Sequence, residues 1–213
     1  MCWNAAVSLN TFVFSSFVLL MILYNNTYTK YKIKDFRSVW VYLFFASFIF
    51  IQLIEFFIWR NINNKYYNNV FTTIAAIVIF AQPAFSIMML SDTQLRNIML
   101  SIYSVFVIPY CIYNFTTTLS TSVSKNGHLQ WSFVEKFRIP ALIWLFFFLF
   151  PMFYEKQMVL FIFGVFFLGL SFYNYAREAA VGSLWCFLVN SIFIYYAALL
   201  LFILPMTENK GIC

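Results

Sequence analysis

Charge is what this sequence has least of. Asp, Glu, Lys and Arg together make up 9% of 213 residues, against roughly a quarter in soluble domains. A chain that is 63% hydrophobic and so poor in charge reads as an integral membrane protein. Other scarcities narrow the chemistry further. There is one histidine, His128, and there are two aspartates, Asp35 and Asp92, both placed in loops. A zinc hydrolase of the seven-helix ceramidase type needs several His and Asp ligands, an intramembrane aspartyl protease needs two buried Asp, and a Ser-His dyad needs a buried His. None of these sets is available, so no catalytic residue and no metal site are assigned. The four cysteines, Cys2, Cys111, Cys186 and Cys213, form no C-x-x-C pair, which argues against a zinc knuckle or a thioredoxin-like motif. The net charge of +6 is scattered through short loops, without a block that could track nucleic acid. It reads as membrane-surface charge, with the lipid bilayer as partner.

What the sequence does have is apolar runs. They fall at about 5–24, 39–59, 70–90, 98–119, 139–154, 157–176 and 183–205, which predicts one all-α transmembrane domain of seven helices spanning residues 1–213. The fifth run is short, and Pro151 near its end disrupts the last turn. The first has no basic flank and no small-residue cleavage site, so it is expected to be a retained helix rather than a signal peptide. No internal repeat or low-complexity linker divides the chain. The longest loop covers residues 120–138.

The loop at residues 25–38 is the most basic, with Lys30, Lys32, Lys34 and Arg37 against Asp35. Counted over alternate sides, Lys and Arg number seven against six, so the totals hardly discriminate. The first loop favours an exoplasmic N-terminus and a cytoplasmic C-terminus. Asn25-Asn26-Thr27 matches the glycosylation pattern on the side expected to be cytoplasmic, and reads as a chance match.

Seven helices with an exoplasmic N-terminus share the layout of rhodopsins, in which a lysine of the last helix carries retinal. All eight lysines here are placed in loops or the tail, so no retinal Schiff base is expected and no other cofactor is implied. The receptor signatures are also missing, with no acidic-Arg-aromatic triplet closing the third helix and no Asn-Pro-x-x-Tyr closing the seventh.

Within the apolar runs the residue that stands out is Glu55, the only acid of the stretch Gln52-Leu53-Ile54-Glu55-Phe56-Phe57-Ile58-Trp59. It lies roughly 9 Å from the middle of its helix at about 1.5 Å per residue. A charge at that depth costs about 2.5–3.5 kcal/mol on insertion scales. Glu55 must therefore be protonated, paired or facing a wet cavity. Gln52, Glu55 and Trp59 share one helical stripe, which should turn inward. Tracing the helices up and down gathers further polar residues into the same half of the bilayer: Asn10, Thr11, Asn114, Asn174, Arg177, Glu178, Cys186 and Asn190. The expected site is a polar pocket in which Glu55, with Gln52, binds a proton or a small polar ligand. Arg177 or the amides of Asn114, Asn174 and Asn190 are the expected partners of Glu55, since Arg60 points away around the same helix. The alternative is that these groups only hold helices together. In the other half, Gln82-Pro83 is the one strong polar signal, where a proline frees a carbonyl that the neighbouring amide could satisfy, or where a hinge or ligand contact could lie. His128 is expected to be of surface character, and Cys2 and Cys186 share a side and a depth at which a bridge is conceivable.

Three short segments also carry a resemblance. Met1-Cys2-Trp3-Asn4, a glutamate late in the second helix, and Gly182-Ser183-Leu184-Trp185-Cys186 opening the last helix resemble an uncharacterised family of small multi-pass membrane proteins of giant DNA viruses and some protists. The abundance of residues with AT-rich codons fits that likeness. It implies a viral or protist source and no activity, which leaves two expectations open: a transporter, channel or small-ligand-binding protein, or a non-catalytic component of a viral or organellar envelope.

Overall fold

The computed structural model describes residues 4–135, 138–175 and 180–208, and side chains at 135, 138–140, 174–175 and 207–208 are left aside. The elements in chain order are α1 (Ala5–Tyr28), α2 (Val39–Arg60), α3 (Lys65–Ile87), α4 (Thr93–Phe115), β1 (Thr121–Val123), β2 (Leu129–Trp131), α5 (Ser132–Glu135), α6 (Arg138–Tyr154), α7 (Met158–Tyr175), α8 (Val181–Val189), α9 (Ile192–Ala198), a π-helical turn (Leu199–Ile203) and α10 (Leu204–Glu208). Among the described residues, five segments are long and apolar enough to cross a membrane: α1, α2, α3, α4 and the near-continuous run Val181–Met206. Two shorter apolar helices, Ala141–Tyr154 and Met158–Tyr173, accompany them. The architecture is all-α and of membrane type, and the seven spans expected are reached only by counting the two shorter helices with the five long ones.

Helix boundaries differ from hydropathy for a reason of capping. The third and fourth helices begin about five residues earlier than their apolar runs. Asn64 Oδ1 accepts from Tyr66 N and Tyr67 N, and Asp92 Oδ1 accepts from Gln94 N and Leu95 N. Each satisfies backbone donors that a helix start leaves open, so a polar first turn is helical despite its composition. Lys65 is consequently the first residue of α3 rather than part of a loop.

α2 is the axis. It is buried on several faces, through Val41, Phe44, Phe45, Phe48, Ile51, Ile54 and Ile58, and packs against α1, α3 and α8. Lipid tails are as apolar as these side chains, so close packing rather than water exclusion must hold the bundle. Aromatic rings supply much of it: Phe48 lies 5.8 Å from Phe148 and 6.1 Å from Trp185, and Trp144 stacks on Phe148 at 4.9 Å. Such pairs contribute roughly 0.5–1.5 kcal/mol each beyond their burial. The outward faces of α1, α4 and α7 carry exposed Phe17, Leu20, Val105, Ile112 and Phe166, as a lipid-facing surface requires.

The long loop is folded. β1 and β2 form an antiparallel hairpin in the register Thr121↔Trp131, Ser122↔Gln130, Val123↔Leu129, closed by Gly127 at φ 77°. Asn68 on α3 holds it by donating to Thr121 O at 2.9 Å and accepting from Thr121 N at 2.8 Å, and Thr72 Oγ1 meets Thr121 Oγ1 at 2.7 Å. His128 is 3% exposed within this hairpin, which corrects the expectation of a surface residue.

Candidate functional site

α2 and α8 run antiparallel, and two hydrogen bonds fix their register. Ser183 Oγ donates to Glu55 Oε1 at 2.5 Å, and Asn190 Nδ2 donates to Phe48 O at 3.3 Å. Glu55 and Phe48 are two helical turns apart, as are Ser183 and Asn190, so the two stripes match rung for rung. Gln52 and Cys186 occupy the rung between. Gln52 Nε2 donates to Glu55 Oε2 at 3.1 Å. The result is a polar ladder running from Glu55 toward the middle of α2.

Most of the ladder is buried: Gln52 and Cys186 fully, Asn190 at 2% and Glu55 at 3% exposure, while Ser183 at its end is half-buried. Among the described residues, the hydrogen-bond partners of Glu55 are Gln52 and Ser183, both neutral. Among the described residues, two acceptor oxygens of the same ladder, Gln52 Oε1 and Asn190 Oδ1, have no hydrogen-bond partner. A buried polar atom left unpaired costs roughly 1–3 kcal/mol, so the ladder is under-satisfied in acceptors.

At Asn190 the helix tightens, its backbone staying right-handed helical at Asn190 (φ −63°, ψ −17°) and Ser191 (φ −63°, ψ −18°). Asn190 N bonds back to Phe187 O and Ser191 N to Leu188 O, tight i→i−3 contacts that separate α8 from α9. The carbonyl of Cys186 thereby loses its helical donor, and Asn190 Nδ2 replaces it at 2.8 Å. One side chain patches that carbonyl and ties its helix to α2.

The hairpin lies over the Glu55 end. A Cβ added at Gly182 would stand 3.2 Å from Trp131 Cζ3, so the indole rests on the backbone next to Ser183. Trp131 is 1% exposed, and its Nε1 has no acceptor among the described residues.

The expected site residues divide accordingly. Glu55, Gln52 and Asn190 come together. Asn114 is buried but donates to Tyr110 O of its own helix at 2.8 Å, which spends its amide donor locally. Arg177 and the side chain of Asn174 lie outside the described residues, as does Cys2, and Cys186 is a free thiol. Gln82 belongs to a different place, and the expected patch is corrected there. Pro83 lacks the N–H that would bond Ile79 O, and Trp144 Nε1 from α6 supplies the donor at 2.8 Å. Tyr103 OH donates to Phe80 O next to it at 2.6 Å. Both amide atoms of Gln82 are without a hydrogen-bond partner among the described residues, at zero exposure. Beside this patch, an apolar crevice lined by Phe80, Tyr103, Tyr110 and Trp144 contains no residue of the ladder.

Ser183 is the residue that sequence reasoning missed as a partner of Glu55. The signal was present: Ser183, Cys186 and Asn190 fall at i, i+3 and i+7, a polar stripe of the same kind as that of Glu55. The Asn25 pattern is inside α1, with Asn25 Nδ2 on Met21 O and Thr27 Oγ1 on Leu23 O, rather than in an open loop. Among the described residues no cluster of three His, Cys, Asp or Glu could hold a metal ion.

The chain is an all-α protein of membrane type, with helices long and apolar enough to cross a membrane and a polar ladder holding one buried carboxyl group between two of them. No protein-family model, curated protein or solved structure matches it.

Proposed function

We propose that this is a multi-pass membrane protein of seven apolar helices, with α6 and α7 as its two short members, that takes a proton or a small polar ligand into the α2–α8 ladder. The N-terminus is exoplasmic and the C-terminus cytoplasmic in this reading, from the four basic residues of the first loop. A transporter, a channel and a ligand-binding protein can each be built on such a site.

One observation carries it: the unpaired acceptors of Gln52 and Asn190 share the ladder of a buried carboxyl group that has no cationic partner among the described residues. A ladder built only to clasp helices gains nothing from orphaned oxygens. An intramembrane ionisable residue facing a neighbouring helix is a functional site by default.

The test is thermal unfolding of the purified protein against a panel of small solutes and protons, comparing wild type with Glu55→Gln. A ligand-dependent rise in Tm that vanishes in the variant supports the reading. Absence of any response overturns it.

A second reading has its own observation. Ser183 and Asn190 each spend a donor across the α2–α8 boundary, and the hairpin seals the end, as a non-catalytic component of a viral or organellar envelope would need. In that case Glu55→Gln leaves membrane behaviour unchanged.

A further inference from the structure

The first loop is folded, and its charges are sorted by sign. From the last turn of α1, Asn26 clamps it: Nδ2 donates to Ile33 O at 3.3 Å, Phe36 O at 3.1 Å and Tyr42 OH at 3.0 Å, and Oδ1 accepts from Ile33 N at 2.7 Å. A turn closes within the clamp, with Phe36 N on Ile33 O at 3.2 Å. Ile33 and Phe36 are each 3% exposed, and the Phe36 ring packs on Phe45 at 4.9 Å and on Tyr196 at 5.2 Å. The one acid of the loop turns inward as well: Asp35 is half-buried, and its Oδ2 accepts from Tyr196 OH at 3.3 Å. Lys30, Lys32, Lys34 and Arg37 are all exposed. Lys30 lies over the ring of Tyr31 at 5.3 Å, and Lys32, Lys34 and Arg37 have no acid partner among the described residues.

Four charges alone would keep such a loop in water. This one also uses a half-buried amide and two core side chains to fix where the cations stand. They stand at the level of lipid headgroups. Tyr24 and Tyr28, on the last turns of α1, are 60% and 75% exposed with their rings 5.3 Å apart, and exposed tyrosines at a helix end mark the membrane interface. Lys30 follows Tyr28 by two residues, at most about 7 Å of chain. Cations held at that level favour anionic headgroups over zwitterionic ones.

We propose that the Asn26-clamped first loop is a binding surface for anionic phospholipid headgroups of the leaflet it faces. The surface is separate from the α2–α8 ladder and does not rest on it. The orientation proposed above puts it at the cytoplasmic leaflet, where anionic phospholipid resides. A measurement in micelles does not depend on that orientation.

The test uses the full-length protein in an uncharged detergent, titrated with phosphatidylserine or with phosphatidylcholine of the same chains and the same fluorescent label. Phosphatidylserine is expected to bind roughly tenfold more tightly at low salt. Most of that preference should vanish at about 1 M NaCl, where the screening length is about 3 Å. Changing Lys30, Lys32, Lys34 and Arg37 together to Gln should bring the two lipids to within about twofold. Arg60→Gln with Lys65→Gln, at the opposite end of α2, should leave the preference as it was. Asn26→Ala keeps every charge and releases the loop, so it should speed amide exchange at Ile33 and Phe36 and lower the preference about threefold or more. Lys32→Gln with Lys34→Gln, two exposed side chains outside the clamp, should also lower it and keeps the test open if Asn26→Ala does not fold. Equal affinity for the two lipids, or a preference that survives the four-residue variant, overturns the surface. A preference unchanged in Asn26→Ala while its loop amides exchange freely overturns it too, because charge without the clamp would then suffice.

Discussion

Removing the Ser183 hydroxyl tests the Glu55 contact by taking away a single atom. Glu55 Oε1 accepts from Ser183 Oγ, and its other described partner, Gln52, binds the opposite oxygen. Ser183→Ala therefore strands one carboxyl oxygen at a place that is 3% exposed. Hydrogen bonds to charged groups contribute about 1.5–3 kcal/mol in soluble proteins. Between membrane helices the measured mean is lower, about 0.6 kcal/mol with a maximum of about 1.7. The burial and the lack of a replacement donor put Ser183→Ala toward the upper membrane value, about 1.5 kcal/mol. The assay is a double-mutant cycle of Ser183→Ala, Glu55→Gln and both, unfolded by SDS titration and followed by helical circular dichroism. Coupling of about 1 kcal/mol is expected for groups in contact. Losses that add to within about 0.3–0.5 kcal/mol would refute the contact.

Other elements make their own predictions. Trp144→Phe should cost about 1–2 kcal/mol by stranding Ile79 O, and Pro83→Ala in that background should recover part of it by restoring a backbone donor, read from the same SDS titration. Asn68→Ala removes both bonds to the Thr121 backbone and should raise amide exchange across residues 121–131 at least tenfold while α2 stays protected. Gly182→Ala presses a methyl group on Trp131 at 3.2 Å and should shift its fluorescence at a cost of about 1 kcal/mol, whereas an unchanged spectrum would show that the indole sits elsewhere.

The parts of this molecule that follow from local composition were legible in the sequence. The apolar runs and the inward stripe of Gln52 and Glu55 rest on periodicity, which survives folding. Helix starts at Lys65 and Thr93 were not legible to hydropathy, because a cap is one side chain bonding two amides and leaves no trace in an average. The hairpin was hidden for a different reason: its hold on α3 comes from Asn68 bonding Thr121, 53 residues away. Pro83 announced a freed carbonyl, but proximity in sequence suggested Gln82 as its partner, and the donor was Trp144 on another helix. Ser183 shows the same limit. Its place on a polar stripe was visible, while the register that sets it opposite Glu55 exists only once α2 and α8 are packed.

That register is the central claim, and a cysteine bridge measures it directly. Cys186 is native, and Gln52 occupies the rung opposite it. With Cys2, Cys111 and Cys213 replaced by serine, Gln52→Cys should form an intramolecular bridge to Cys186 under mild oxidation or with a short bifunctional thiol reagent. Leu53→Cys, which turns away from α8 by about 100°, should not. Efficient bridging at position 52 alone is the result the ladder predicts. Bridging at 53 but not 52, or at neither, would contradict it.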